Sequence, residues 1–550
     1  MDYSYEIKDF DAGGRIGQMK LGKKILDTPN LFPVVSPFQN VISPRRLFEE
    51  FGAQCLFTNA YIIYKNRERN PEILEKRLHA HLDFPGIIAT DSGGFQDYMY
   101  AGDIKLSPEE IEPFQEQLGS DCPVILDIPV QTTDSYEIAK EKVEITLQRA
   151  RDNITRRKRT DTAWFGPIHG SIYPDLLKLS ALEMSKLDYG IYAIGGVVKT
   201  FIDYRFDLDV DILLEVRKWL RPDRPLHMFG LGLPAFFSLA VACGADTFDS
   251  AAYILYAKAD RYFTFTGTKN IQNMVELPCH CPICSKYTAQ ELQLLGKQER
   301  IEKLAEHNLY HSFSELRTIR QAIREGTLWD LVEQRVHAHP KLLKGLKRLQ
   351  MNNSAAYFDQ MLNLNKIKGQ KYLGTYSFYR APIARFRQKV KQFSLPETKS
   401  ILVCVPELDL PAKNSRTLQA WIEDIRSCPD WNQTQFGIMS NLMGFIPLEL
   451  AEMHPAGQHE GSGDMLENPI QRQILLDDFH QLINNNIEKI KSIKILIPKS
   501  FVNEYSAEEA FSAKTHIIYY LQDIIRERFP SLQVIQYNSI ENLTSDKTYE

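Results

Sequence analysis

Across the first 250 residues, short continuous runs of apolar side chains alternate with longer mixed segments. The runs are Leu31–Val35, Cys55–Thr58, Gly86–Thr90, Pro123–Leu126, Ala163–Ile168, Gly190–Ile194, Leu226–Phe229 and Asp246–Phe248. Little polar alternation interrupts them, the pattern expected of strands buried on both faces of a parallel sheet. The segments between are mostly long enough for crossover helices, and Ser135–Arg156 and Asp209–Leu220 repeat apolar positions at helical spacing. Eight strand–helix units predict an α/β fold of the TIM (β/α)8 barrel type over an open doubly wound sheet. Periodicity alone leaves both architectures open; the residues that follow the runs favour the barrel.

The pattern changes further along. Residues 276–340 hold a cysteine cluster and helical sequence, read as an insertion after a barrel spanning 1–275. Residues 341–395 are basic and aromatic, with KLLKGLKR at 341–348 and YRAPIARFRQKVK at 379–391, and are expected to form a basic helical linker. From Pro396 the rhythm returns. Ile401–Val405, Gly437–Met439, Ile493–Ile497 and Val534–Tyr537 read as strands, and Glu467–Ile490 and Glu508–Phe529 as helices. Residues 396–550 are therefore expected to be a smaller C-terminal α/β domain.

Composition narrows the function classes. The 550 residues are 43% hydrophobic and 25% charged, which excludes wholesale disorder, a fibre or a coiled-coil rod. Net charge is −5, so any nucleic-acid contact must come from local basic surface. The longest apolar window, Phe229–Ala245, is broken by glycines and a proline and is short for a membrane span. The start, MDYSYEIKDF, has no leader pattern, so a cytoplasmic protein without membrane contact is expected. Eight cysteines make no disulfide framework.

Carboxylates follow the apolar runs: Asp91 after the third, Asp127 after the fourth and Asp249 after the eighth, with His169 after the fifth and Gly195-Gly196 after the sixth. In a barrel these positions share the C-terminal mouth, where chemistry takes place. A single Asp after a strand is commonly a helix N-cap, and Ser92-Gly93-Gly94 leaves that reading open for Asp91. It accounts less well for Asp249. Cys279, Cys281 and Cys284 form C-x-C-x2-C, with His307 and His311 downstream in HNLYH. Three thiolates and one imidazole suit a single tetrahedral Zn2+. His307 is favoured over His311 as the fourth ligand, and four protein ligands make the metal structural.

Together the motifs resemble the tRNA-guanine transglycosylase family over roughly residues 5–310. They are DSGGFQ at 91–96, LDIP at 126–129, AIGG at 193–196, FGLG at 229–232, GADTFDSA at 244–251 and the cysteine cluster with its histidine. YEIKDFDAGGRIG, SIYPD at 171–175, SAAYILYAKADRY at 250–262 and HNLY at 307–310 look like the archaeal branch. That resemblance implies a pentosyltransferase exchanging a guanine in the tRNA D-arm for 7-cyano-7-deazaguanine, the first step to archaeosine. It implies Asp249 as nucleophile and Asp91 as general acid/base. Ser92, Phe95, Asp127, His169, Gly195 and Gly196 are implied as substrate-binding residues. Asp127 would accept the amidine edge of the base, Phe95 would stack on it and the Gly196 N–H would meet its carbonyl. The target nucleotide would leave its stack to enter the mouth.

Several features depart from that pattern. His169 stands where the family usually carries Gln, and it is expected either to make the same bond or to alter base preference. The C-terminal domain resembles archaeosine synthase around FGIMS and GFIPLELAEMHPAGQHE, yet its first strand ends Val405-Pro406-Glu407 without the synthase cysteine motif. A role in shaping the tRNA surface or a subunit contact is expected instead. No sequence remains for the usual PUA domain, so a separate PUA-containing partner is expected, alongside the homodimer usual in the family. The RNA grip is expected from Lys258, Arg261, Lys344, Lys347, Arg348, Arg380, Arg385 and Arg387. The rival readings are a paralogue acting on DNA or another tRNA position, and a non-catalytic RNA-binding subunit.

Overall fold

The structure is a computed structural model that describes residues 3–94, 106–351, 369–408, 414–461, 468–497 and 516–545. The chain divides into two compact units, Met1–Tyr357 and Phe358–Glu550.

The first unit opens with an antiparallel meander, β1 (Tyr3–Asp11), β2 (Gly14–Leu21) and β3 (Lys24–Thr28), which the reading of apolar runs does not anticipate. Its strands alternate rather than run apolar. Eight short parallel strands follow: β4 (Asn30–Pro33), β5 (Cys55–Asn59), β6 (Ile87–Asp91), β7 (Cys122–Pro123), β8 (Phe165–Ile168), β9 (Ile191–Ile194), β10 (Leu226–Met228) and β11 (Thr247–Ser250). Each overlaps one of the eight apolar runs. They pair as two parallel arcs, β4-β11-β10-β9-β8 and β5-β6-β7. Single parallel bridges, Val34 to Phe57 and Val124 to Phe165, lie between the arcs.

The continuous hydrophobicity has a geometric cause. Alternate residues Phe32, Phe57, Ala89, Val124, Phe165 and Ala193 share one core with Met19, Leu21 and Leu26 of the meander. The intervening Leu31, Leu56, Ile88 and Tyr192 are equally buried and point to the opposite face. Burial on both faces erases the period of two. Of the expected crossover helices, one spans Tyr136–Arg156 and the other Phe206–Arg217. Ser135 caps the first by accepting the Ile138 N–H at 3.4 Å.

A buried ion pair ties the meander to the last strand. Arg15 on β2 donates from Nε to Asp246 Oδ1 at 2.8 Å and from Nη2 to Oδ2 at 2.7 Å. Both side chains are 0% exposed. Nη2 also meets the Arg224 carbonyl at 2.6 Å, and the Leu226 N–H donates to Asp246 Oδ2 at 2.7 Å.

After β11 come a hairpin, β12 (Arg261–Thr264) and β13 (Gly267–Asn270), two short helices, Pro282–Lys286 and Ala289–Leu294, and a long one, Lys297–Glu325. The long helix buries Leu304, Leu309, Leu316 and Ile319. The stretch expected as a basic linker is instead split between the units. Helix Pro340–Met351 packs on helix Phe206–Arg217, burying Leu342, Leu346 and Leu349, while helix Ala381–Lys391 lies in the second unit and buries Phe386 and Val390. Several cations expected to grip RNA have partners within the protein. Lys344 pairs with Asp207 at 2.7 Å, Arg348 with Asp211 at 2.7 Å and Arg387 with Asp478 at 2.6 Å, and Arg380 is fully buried. Lys258 and Lys347 are exposed.

The second unit pairs β14 (Gln370–Lys371) with β18 (His459–Glu460) and builds a five-stranded sheet from β15 (Ile401–Pro406), β16 (Thr434–Ser440), β17 (Gly444–Pro447), β19 (Ser492–Leu496) and β20 (Gln533–Tyr537). Its order is β17-β16-β15-β19-β20, parallel except for the β16–β17 hairpin. Four of these five strands coincide with the expected ones. Cys404, within β15, is completely buried among apolar neighbours, and burial pushes its thiol well above the ordinary range. Among the described residues, no helix is long and apolar enough to cross a membrane.

Candidate active site and metal centre

A cavity of about 390 Å³ lies at the C-terminal ends of the parallel strands. Asp91, Asp127 and Asp249 all line it, together with Asn59, Gly195, Gly196, Phe229 and Gly230. The carboxylates come from stretches far apart in sequence, and the strand ends bring them to one place. An apolar flank of Val198, Phe201, Leu233, Leu255 and Tyr256 completes the wall.

Each carboxylate is held differently. Asp91 ends β6, directly opposite Asn59 on β5. Asn59 Nδ2 donates to Asp91 Oδ2 at 2.8 Å, while Asn59 Oδ1 caps the helix Ala60–Lys65 by accepting the Ile62 N–H at 2.8 Å. One amide therefore fixes both a helix start and a carboxylate. Asp127 is 8% exposed, and His169 Nε2 donates to its Oδ2 at 2.7 Å. Gly94 allows Asp127 its place, because a Cβ there would lie 2.5 Å from Asp127 Oδ1. Gly195 does the same for His169, whose Cε1 would lie 2.4 Å from an added Cβ.

Asp249 receives two donors on one oxygen. The Gly230 N–H reaches Oδ1 at 2.8 Å and His227 Nε2 reaches it at 3.0 Å. His227 lies opposite Thr247 in the β10–β11 register, and its Nδ1 is 2.9 Å from Thr247 Oγ1. The imidazole is completely buried and sits among the rings of Phe32, Phe165 and Phe229, with centroid distances of 5.7, 5.0 and 4.9 Å.

Some residues expected at the site sit elsewhere. Ser92 is fully buried and donates its hydroxyl to the Ile125 carbonyl at 2.8 Å, off the cavity wall. His169 is also off the wall, with its Nε2 turned to Asp127 Oδ2. Phe95 lies outside the described residues. Sequence reasoning missed Asn59, His227, Thr247 and Phe229. Asn59 was findable as an Asn between an apolar strand run and a helical stretch. His227 and Thr247 were findable as polar residues inside apolar runs seven and eight.

The expected metal ligands converge. Ligand atoms of Cys279, Cys281, Cys284 and His307 all lie within 4.8 Å of one another. His307 Nε2 is bonded to the Phe263 carbonyl at 2.9 Å, which turns Nδ1 toward the sulfurs, 3.5 Å from Cys281 Sγ and 3.4 Å from Cys284 Sγ. The Cys281–Cys284 sulfur separation is 3.6 Å. A tetrahedron with metal–sulfur bonds of about 2.3 Å has edges of about 3.8 Å, so the donor set fits Zn2+. Tyr262 stacks on His307 at 3.6 Å and its hydroxyl lies 3.2 Å from Cys284 Sγ. His311 lies outside the ligand group, its pKa pushed down to about 4 mainly by burial.

Residues 9–341 match the model of the queuine tRNA-ribosyltransferase family. The chain is 42% identical over 406 residues to the tRNA-guanine(15) transglycosylase of Methanosarcina acetivorans, covering 74% of this chain and 81% of the relative. It is 36% identical over 521 residues to the enzyme of that name from Methanocaldococcus jannaschii, covering 93% and 76%. To the Pyrococcus furiosus relative of the same name it is 45% identical over 345 residues, covering 63% and 58%. With the family model spanning more than half its length, and three carboxylates meeting at one strand-end cavity, the chain belongs to the queuine tRNA-ribosyltransferase family.

Proposed function

We propose that this protein exchanges a guanine in the D-arm of tRNA, at the position named in its archaeal relatives, for 7-cyano-7-deazaguanine. The observation that carries this reading is the shared cavity of Asp91, Asp127 and Asp249. Asp249 attacks C1′ of the target ribose, forming a glycosyl ester between Oδ2 and C1′ while the bond from C1′ to N9 of guanine breaks. Asp91, as the acid, protonates the departing guanine at the nitrogen that held the sugar. The incoming base then gives a proton to Asp91, attacks C1′ and returns Asp249 to a carboxylate. Two inversions at one carbon leave the configuration retained.

Asp127 accepts N–H donors from the amidine edge of the base, which disfavours adenine and pyrimidines. Gly195 and Gly196 offer close backbone approach, and Phe229 a flat face for the heterocycle. His169 orients Asp127 instead of reading the base. The two strand arcs are read as parts of one eight-stranded TIM barrel, supported by the bridges Val34–Phe57 and Val124–Phe165. Residues 1–275 carry the catalytic part and 276–340 the metal-binding part. Cys279, Cys281, Cys284 and His307 would hold one Zn2+, which with four protein donors leaves no position for water and serves structure. The reaction is assigned to the cytoplasm.

The test is exchange of radiolabelled guanine into tRNA. Incorporation that disappears in Asp249→Asn supports the reading. Equal exchange into DNA would favour a paralogue acting on another polymer, and no exchange with retained tRNA binding would favour a non-catalytic subunit.

A further inference from the structure

We infer that His227 is a positioning residue for Asp249: it engages one carboxylate oxygen, leaves the other to bond the sugar, and speeds release of the covalent intermediate. The inference rests on the assignment of Asp249 as nucleophile and adds a residue that sits inside an apolar strand. An ionised carboxylate only accepts, so Nε2 must carry the proton that faces Asp249 Oδ1 at 3.0 Å. In the neutral ring Nδ1 is then an acceptor, and Thr247 Oγ1, 2.9 Å away, supplies its donor. Thr247 is 0% exposed, so its hydroxyl has no bulk water to turn to. The chain Thr247, His227, Asp249 thereby fixes both tautomer and ring orientation.

The Gly230 N–H shares the same oxygen at 2.8 Å. Among the described residues no hydrogen bond engages Oδ2, which belongs to a residue on the cavity wall. Oδ2 is therefore the atom that bonds C1′. Once the ester forms, Oδ1 is its carbonyl oxygen and keeps both donors. When the incoming base attacks C1′, the electron pair of the C1′–Oδ2 bond returns to the carboxylate, and the two donors stabilise that growing charge. The surrounding aromatic rings exclude water and strengthen the bond. Loss of the His227 donor should therefore slow breakdown of the ester more than its formation.

The experiment measures guanine exchange and the fraction of enzyme trapped covalently on tRNA in denaturing gels, using the full chain. His227→Phe suits a cage already built of phenyl rings and removes the donor. It is expected to lower kcat about 10- to 100-fold with KM for tRNA falling in step, because kcat/KM for tRNA reports formation of the intermediate, while the trapped fraction rises. His227→Gln, which can return an N–H toward Oδ1, should recover most of the loss. Thr247→Val should reproduce the change in weaker form, and these two variants carry the test if His227→Phe does not fold. Wild-type kcat in folded His227→Phe or in Thr247→Val, or a fall in kcat accompanied by a fall in the trapped fraction without rescue by Gln, overturns the inference. Asp249→Asn, run alongside, must give no adduct; an adduct there refutes the nucleophile assignment itself.

Discussion

The pair Arg15–Asp246 offers a quantitative test of how the first unit is held together. Asp246 opens the segment that carries Thr247 and Asp249, and Arg15 comes from the meander more than 200 residues earlier. Arg15→Met removes two charge-assisted bonds and leaves a carboxylate that is 0% exposed with only neutral donors, Leu226 N–H and Tyr5 Oη. Breaking one side of a buried pair costs about 3–5 kcal/mol. For the unit Met1–Tyr357, an unfolding entropy of about 2.1 cal/mol/K per residue gives about 0.75 kcal/mol/K, so the melting temperature should fall by about 4–7 °C. Asp246→Leu should cost a similar amount, because it strips the buried guanidinium of Arg15 of its carboxylate while the Pro222 and Arg224 carbonyls and the Tyr5 ring remain. The double variant Arg15→Met/Asp246→Leu removes both charges, and its cost should fall short of the sum of the singles by at least about 2 kcal/mol. Thermal and urea unfolding followed by circular dichroism measure all four proteins. Additive losses, or a single-variant cost below about 1 kcal/mol, would refute the argument.

Three further outcomes follow from the site. His169→Phe keeps a buried ring but removes the donor to Asp127, so kcat/KM for the free base should drop about 10- to 100-fold while tRNA binding is unchanged; base-exchange kinetics at fixed tRNA decide it. Gly94→Ala would set a methyl 2.5 Å from Asp127 Oδ1 and 2.9 Å from its backbone carbonyl oxygen, and should raise KM for the base and lower the melting temperature. Cys284→Ser should lower bound zinc from about one per chain to a small fraction, measured by elemental analysis, and a chelator should lower the melting temperature of the unaltered protein but barely that of the variant.

Much of the site could be read before any coordinates. Asp91, Asp127 and Asp249 each follow an apolar run, and the cysteines are packed into six residues with a helical histidine downstream. Those signals are local, because a strand end and a ligand spacing are properties of a few neighbouring residues. His169 was less legible. Its position was plain, but whether its ring met a ligand or Asp127 depended on a carboxylate 42 residues away. The basic stretch 341–395 misled for a related reason: charge is visible in sequence, but its partners Asp207, Asp211 and Asp478 are not.

The sequence by itself determined the eight parallel strands, because burial on both faces demands unbroken apolar runs, and it pointed to the cluster of Cys279, Cys281, Cys284 and His307, because three thiols within six residues have few other uses. Only the tertiary structure decided which oxygen of Asp249 takes both donors, which histidine holds which carboxylate, and which cations have carboxylate partners. Those outcomes are set by hydrogen bonds between residues on different strands and helices, whose register and approach exist only once the backbone has folded.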